Sequence, residues 1–296
     1  MALFSSNYHY LVSSLAEYAP DSDGEGLDVV ALLDEIASQV GSGDMACVRM
    51  LLWRNDIANI MSRRAGRERY SVPANLSPEQ VEAVCGRYFG DGDGDGDSAD
   101  ESLREMGVSL PVYIKKVLDE YVAADKDAEP VNVERALWES YYAAAERSSD
   151  RFLREWSRFD RHLRDITAAY TARRKGMEIA GVVVGDDAIT DRLKNDYTPD
   201  FGLKGTFDRV DELISILDSD EMLSKERRLD ELKWAKVDDI TEFDYFNIDF
   251  ILGYLVKVSI ICRWMVLDKE AGRQMLGRLI EQLTPAEVVE RAVSRD

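Results

Sequence analysis

Large apolar residues recur at helical spacing through the middle of the chain. From Phe152 onward they stand four and three residues apart, which places them on one face of an α-helix: Phe152, Trp156, Phe159, Leu163, Ile166 and Tyr170. The stretch ends at Arg173-Arg174-Lys175-Gly176, where cations meet the negative end of the helix dipole and glycine can cap the helix. The pattern predicts a long, buried helix around which the other elements pack.

The same periodicity predicts helices in most of the chain. They are expected over 27–40, 44–66, 78–89, 111–124, 132–148, 207–217, 221–234, 248–267 and 269–283, and a capping box at Thr284 predicts a terminal helix. The segments 8–12 and 179–184 fit either a strand or a helical turn. All seven prolines lie where a helix would begin or a loop would run. The fold class predicted by the sequence is therefore all-α.

Residues 90–102 interrupt this pattern with the run GDGDGDGD. Glycine entropy and repulsion between like charges oppose regular structure, so we expect an acidic, flexible loop. The run also matches the beginning of a calcium-binding loop through Asp91, Asp93, Asp95 and Asp97. The twelfth position is Ser102, where such a loop needs a bidentate glutamate. These aspartates are therefore only weak metal candidates.

Composition narrows the range of partners. The formal charge of −20 would repel nucleic acid and anionic lipid, so a partner should be neutral or offer a basic patch. The three cysteines form no CxxC pair and are expected to be free thiols in a reducing compartment. The first residues lack the basic start of a secretion signal. Although 248–267 is long enough to span a bilayer, Asp249, Lys257 and Arg263 favour a buried core helix.

The sequence contains no pattern typical of a catalytic centre. The run Gly41-Ser42-Gly43 follows a predicted helix rather than a strand, so a dinucleotide site is not expected, and there is no phosphate-binding loop. His9 and His162 lack a cysteine or carboxylate constellation. We therefore expect a protein that is not an enzyme and that has no catalytic residues, cofactor or firm metal site.

The sequence contains a weak internal repeat, which we call the echo. An apolar helix ends in basic residues and glycine in two places, and the C-terminal region has a looser version. The polar positions of the echo are Asp56, Asn59, Arg63 and Arg64 in the first copy, Asp165, Arg173 and Arg174 in the second, and Tyr254, Lys257 and Arg263 in the third. Ala168 and Thr167 of the second copy lack the amide that the first copy has at Asn59.

These positions also carry a resemblance to a known family. The segments 56–60 with the following Arg63 and Arg64, 165–176, and above all 254–264 through to Gly272 resemble the C/d family of V-type ATPase stalk proteins, whose eukaryotic members are called d. The opening segment 7–15, together with 200–203 and 232–234, is still more similar to a divergent group of uncharacterised bacterial proteins encoded among V-type ATPase subunits. The second resemblance covers most of the chain.

The resemblance implies an all-helical, funnel-like body of three related lobes. We place these lobes at 1–89, 103–200 and 201–296 of a single domain. It also implies a non-catalytic central-stalk subunit that couples the rotor shaft to the membrane proteolipid ring of a proton- or sodium-translocating rotary ATPase. Such a protein would be cytoplasmic and peripheral on the membrane, with the shaft subunits and the ring as partners. The polar positions of the echo are then candidates for organising the lobes or for contacting partners.

Two other functions stay open at this point. One is a free-standing, acidic helical module for protein interaction, which the surface charge and aromatic content would also fit. The other is a calcium-binding protein that uses Asp91 to Asp97.

Overall fold

The computed structural model describes residues 7–90, 96–124 and 132–283, and every regular element in these ranges is helical. The predicted all-α fold class is therefore confirmed. The twelve helices are α1 His9–Ser14, α2 Val29–Gln39, α3 Ser42–Arg64, α4 Pro78–Phe89, α5 Gly96–Glu105, α6 Val112–Ala123, α7 Val133–Ala145, α8 Arg151–Arg174, α9 Ala188–Asn195, α10 Val210–Asp218, α11 Met222–Thr241 and α12 Ile248–Leu283.

Most helix ends follow the local sequence. Ser77 and Gln80 form the predicted capping box at the start of α4, with proline at the first helical position. Asp150 caps α8 by accepting a hydrogen bond from the Leu153 amide at 2.7 Å, so α7 and α8 are separate helices. Of the two ambiguous stretches, the first forms α1 and the second forms the short 3₁₀ turn Ile179–Gly181.

The prediction of a flexible loop over 90–102 is wrong for its second half. Residues 91–95 lie outside the described part of the chain, but α5 begins at Gly96. Leu103 is buried against the second core defined below, and Arg87 on α4 pairs with Asp100 at 2.7 Å. This packing outweighs the repulsion between neighbouring acidic residues. The repulsion can be inferred from the sequence, whereas the packing cannot.

Three other boundaries differ from the expectation. The helices predicted over 248–267 and 269–283 form one continuous helix, α12, because no glycine or proline separates them at residue 268. The eight-residue helix α9 was not predicted, although Asp187 caps it. The helix predicted over 221–234 continues to Thr241. The terminal helix predicted at Thr284 lies outside the described residues.

Within the described part of the chain, the buried apolar residues form three cores. The first core joins α1, α2, the beginning of α3, the beginning of α8, the end of α11 and α12. The second core joins the end of α3 to α4, α5, α6 and α7. The third core joins the end of α8 to α9, α10, the beginning of α11 and the turn residues Phe201 and Leu203.

Three of the described helices, α3, α8 and α11, pass from one core into another. Leu52 on α3 belongs to the first core, whereas Ile57 belongs to the second. On α8, Trp156 belongs to the first core and Ile166 to the third. The cores therefore cross the boundaries of the predicted lobes 1–89, 103–200 and 201–296, and the three related lobes stay a prediction.

The N-termini of the three longest helices meet at one end of the first core. Asp44 lies in the first turn of α3, Asp150 caps α8 and Asp249 lies in the first turn of α12. Burial and the charges of Asp150 and Asp244 raise the pKa of Asp249 to about 6, although Arg151 donates a hydrogen bond to it at 2.9 Å. The three carboxylates thus share one crowded site at the positive ends of their helices.

The segment Ile248–Leu267 is the one candidate membrane span among the described residues. Its length and apolar composition would allow it to cross a bilayer. In this structure Leu252, Leu255 and Val258 are fully buried in the first core.

Candidate functional site

Two buried aspartates mark the place where the three cores adjoin. Asp160 lies on α8 between the residues that enter the first core and those that enter the third. Asp230 lies on α11 between Leu229 and Leu232 of the third core, four residues before Trp234 of the first core. Arg54 on α3 lies where that helix passes from the first core to the second. We call this set, with Tyr142, Lys233, Arg263 and Trp264, the polar junction.

Asp160 is held by two neighbours from other helices. Arg54 donates to it through Nε at 2.7 Å and through Nη2 at 3.0 Å, and the Tyr142 hydroxyl donates at 2.7 Å. Burial would raise the pKa of Asp160, but the charge and hydrogen bonds of Arg54 lower it below its ordinary value. Asp160 is therefore a charged carboxylate that ties α8 to α3 and α7.

Asp230 forms a second network on the other side of the junction. Its carboxylate accepts from Lys233 at 3.0 Å, from the Trp264 indole at 3.0 Å and from the Arg263 guanidinium. Arg263 also donates to Glu226 at 2.7 Å. Burial would raise the pKa of Asp230, but the charges of Lys233 and Arg263 lower it. This network ties α11 to α12.

Two cavities adjoin the polar junction. A cavity of about 470 Å³ lies between α8 and α11, and a smaller one of about 130 Å³ lies between α3 and α12. Arg54 and Lys233 line both of them. The larger cavity reaches the exposed residues Lys175 and Met177 and so opens to solvent.

Of the candidates named from the sequence, only Arg263 belongs to the polar junction. Asp56 and Asn59 lie on α3 and hold the segment that leads back to α4. The Asn59 side chain pairs with the backbone of Ser71 through bonds of 2.6 and 3.0 Å. The Asp56 carboxylate accepts from the Leu76 amide at 2.9 Å and from the Asn75 side chain at 2.7 Å.

Asp165 has the same place on α8 that Asp56 has on α3. Each lies fourteen residues after the first residue of its helix. Asp56 accepts from a backbone amide twenty residues later and Asp165 from the Val184 amide nineteen residues later, just before α4 and α9 begin. Because the second copy has Ala168 in place of Asn59, its loop has no equivalent of the Ser71 pairing. The echo in the sequence thus corresponds to a repeated device that fastens a loop to a long helix.

The other site candidates named from the sequence do not form one common site. Arg63 pairs with Glu82, and Arg64 lies over the Phe89 ring at 4.9 Å. Arg173 donates to the Thr198 carbonyl at 2.6 Å and lies over the ring of Phe201. The remaining three contact their own surroundings: Arg174 lies over Tyr170, Tyr254 lies near Tyr18, and Lys257 donates to Asp238. Their role as partner contacts stays a prediction.

The buried carboxyl of Asp165 is expected to make the stability of the protein depend on pH. Its carboxyl is fully buried and Oδ2 has no hydrogen-bond partner within the described structure, so burial raises its pKa to about 7. A raised pKa means that the folded state binds the proton more tightly than the unfolded chain. This contribution to stability is complete below about pH 4 and is lost as the pH rises through about 7.

We therefore expect the Asp165→Asn variant to lose less stability than the wild type between pH 5 and pH 8, by of the order of 1–3 kcal/mol. The measurement is urea unfolding followed by circular dichroism at several pH values. Comparing the two proteins cancels the contributions of the other groups that titrate in this range. Identical pH slopes would show that Asp165 is ionised throughout.

The metal candidates gain no support. Asp91, Asp93 and Asp95 lie outside the described residues, and Asp97 lies in the first turn of α5. Within the ranges that the structure describes, no group of three or more His, Cys, Asp or Glu side chains could hold a metal ion.

The residues of the polar junction other than Arg263 were missed in the sequence. A signal was present, because Asp160 shares the apolar face of α8 with Trp156 and Leu163, and Asp230 lies four residues before Trp234 on α11. A carboxylate on an apolar face indicates a buried ion pair. The partner could not be read from the sequence, since Arg54 and Asp160 are 106 residues apart.

A family model described as a protein of unknown function (DUF2764) matches residues 5–286. No curated protein matches the chain.

Proposed function

We propose that this chain, which belongs to the DUF2764 family, is a non-catalytic central-stalk subunit of a V-type ATPase that couples the rotor shaft to the proteolipid ring. The observation that supports this most strongly is the repeated loop-fastening device of Asp56 and Asp165. A body built from related helical units is what the resemblance to the C/d family implies. The proposal includes a cytoplasmic position, peripheral on the membrane.

The polar junction fits such a role. A part that transmits torque must resist shear between its helices. Ion pairs with two hydrogen bonds fix both distance and orientation, and Arg54 with Asp160 forms one such pair across α3 and α8. Arg263 likewise donates two hydrogen bonds to Asp230, through Nε and Nη2 to the same carboxylate oxygen, and so links α12 to α11.

An exposed aromatic surface offers a place for a partner. It consists of Tyr10, Phe243, Tyr245 and Phe246, of which the first two are 89% and 80% exposed. The ring of Phe246 lies 4.0 Å from that of His9, and its carbonyl accepts from the Tyr8 amide, which joins α1 to the turn before α12. Aromatic side chains are enriched at protein interfaces. This surface also supports the second candidate function, a free-standing module for protein interaction.

Affinity purification of the tagged protein from gently solubilised membranes separates these functions. The stalk proposal predicts that V-type catalytic, shaft and proteolipid subunits are recovered with it. It also predicts that a strain lacking the protein loses the coupling between ATP hydrolysis and ion pumping. Recovery of the protein alone, together with normal coupling in the deletion strain, would contradict the stalk proposal and favour the free-standing module.

A matched pair of variants tests the aromatic surface. We expect Phe243→Ser combined with Tyr245→Ser to reduce recovery of the ATPase subunits at least severalfold without changing stability, because both side chains are largely solvent-exposed. The control is Tyr197→Ser, since Tyr197 is 90% exposed and follows α9, next to the third core rather than the first. Equal recovery with both proteins would mean that the partner binds elsewhere.

A further inference from the structure

The larger cavity beside the polar junction has the properties of a ligand site. Its volume of about 470 Å³ falls within the range of small-molecule pockets. One wall is apolar and includes Leu163, Ala172 and Leu229, which are buried. The mouth is formed by Lys175 and Met177, which are exposed, so a ligand can enter from solvent.

The charge of the cavity is opposite to that of the protein. The chain as a whole carries −20, yet four basic side chains line the larger cavity against one carboxylate. The basic residues are Arg54, Arg164, Lys175 and Lys233, and the carboxylate is Asp160. Asp160 already accepts hydrogen bonds from Arg54 and Tyr142. The excess positive charge in a concave, partly apolar site favours an anion.

Several of these basic side chains have N–H groups that are not used in the ion pairs of the polar junction. Arg54 uses Nε and Nη2 to hold Asp160, which leaves Nη1 free of that carboxylate. Lys175 makes no ion pair within the described residues, and Lys233 uses one of its three N–H groups on Asp230. Arg164 is placed over the Trp138 ring at 5.5 Å and approaches Asp165 at 3.3 Å. The wall can therefore offer charge-assisted hydrogen bonds without breaking the polar junction.

We propose that this cavity binds a small phosphorylated molecule of about nucleotide size, with its phosphates on the basic side chains of α3, α8 and α11 and its apolar part against Leu163 and Leu229. The phosphates match the positive wall, and the volume and apolar wall match the rest of such a ligand. The proposal concerns binding alone and requires no reaction. It does not depend on the stalk function.

Isothermal titration calorimetry of the full chain tests this with three probes: ATP, inorganic pyrophosphate and adenosine. We expect adenosine not to bind, because it lacks the phosphates that the basic side chains would hold. We expect ATP to bind more tightly than pyrophosphate, because its base and sugar also contact the apolar wall. In Lys175→Gln, the Kd for ATP should rise about tenfold, since one charge-assisted bond to phosphate is lost. Lys175 is exposed, so this variant keeps its fold.

The control is Lys116→Gln, which removes a lysine on α6 whose side chain is 72% exposed. It should bind ATP as the wild type does. Equal weakening in both variants would overturn the proposal in favour of diffuse attraction by surface charge. Absence of ATP and pyrophosphate binding would also overturn it, and binding of a short polyglutamate peptide in their place would assign the cavity to an acidic protein segment.

Discussion

The Arg54→Ala variant is expected to lose about 2–3 kcal/mol of unfolding free energy, because it leaves the buried Asp160 without its charged donor. The loss is smaller than for a fully buried pair, since the Arg54 side chain is 34% exposed and water already screens the interaction. Asp160 would remain buried with the Tyr142 hydroxyl as its donor. The loss of the bond to Arg54 would also raise the pKa of Asp160, because burial would then act with less opposition. Urea unfolding at pH 7 measures the change as a shift of the midpoint.

Arg63→Ala is the matched control for this prediction. Arg63 lies on the same helix and also pairs with a carboxylate, that of Glu82, but both side chains are exposed to solvent. Exposed pairs add little to stability, so this variant should unfold near the wild-type midpoint. Equal midpoints for the two variants would show that the Arg54 pair adds no more than a surface pair does.

Replacing Arg54, Tyr142 and Asp160 together by apolar residues shows whether Arg54→Ala loses stability because a charge is left unpaired or because packing is lost. The triple variant Arg54→Met, Tyr142→Phe, Asp160→Leu removes the charges together with the hydroxyl that contacts them. Buried ion pairs can often be replaced by apolar residues at no cost. We therefore expect the triple variant to be more stable than Arg54→Ala, and the opposite order would mean that the charges themselves stabilise the junction.

The second large effect is expected at Asp56, where asparagine should cost about 2–3 kcal/mol. The two carboxylate oxygens accept from the Asn75 amide, the Asn75 side chain and the Leu76 amide. An asparagine has one acceptor oxygen, and its NH₂ group would face donors. A buried donor would then be left without an acceptor, and the end of the segment at Asn75 and Leu76 would be held less tightly to α3, although Asn59 would still pair with Ser71.

The same substitution at the equivalent position of α8 provides the comparison. Asp165 accepts one backbone bond, from Val184, and an asparagine oxygen can replace it. Asp165→Asn also removes a carboxylate whose Oδ2 has no partner in the described structure. We expect this variant to be at least as stable as the wild type at pH 8, whereas Asp56→Asn is less stable at pH 8, where Asp56 is ionised although burial raises its pKa to about 6. Equal losses at the two positions would contradict the proposed difference between the two copies.

Much of the helical architecture could be predicted from the sequence because apolar periodicity reports directly on burial. The long helix from Phe152 and the capping box at Ser77 are examples. The helix α5 could not be predicted in this way, since it depends on contacts of Leu103 and Asp100 with residues of other helices. Local sequence signals describe a segment alone and omit the packing that decides such marginal cases.

The polar junction was harder to predict for a related reason. A carboxylate on an apolar stripe can be recognised, but its partner depends on how distant helices cross. Arg54 resembles any arginine of an amphipathic helix until α3 and α8 are seen side by side. Only part of the repeated loop-fastening device could be predicted. The sequence shows two similar helix ends, but the equivalence of Asp56 and Asp165 depends on the loop amides that they bind.

The passage of α3, α8 and α11 from one core to another has a consequence for folding. A core that shares a helix with its neighbour cannot melt without removing part of that neighbour's apolar contacts. Phe152 and Ile166 lie on one continuous helix, and so do Leu229 and Val237, although the members of each pair serve different cores. The thermodynamic unit is therefore larger than any single core, and the described helices should unfold in one cooperative step.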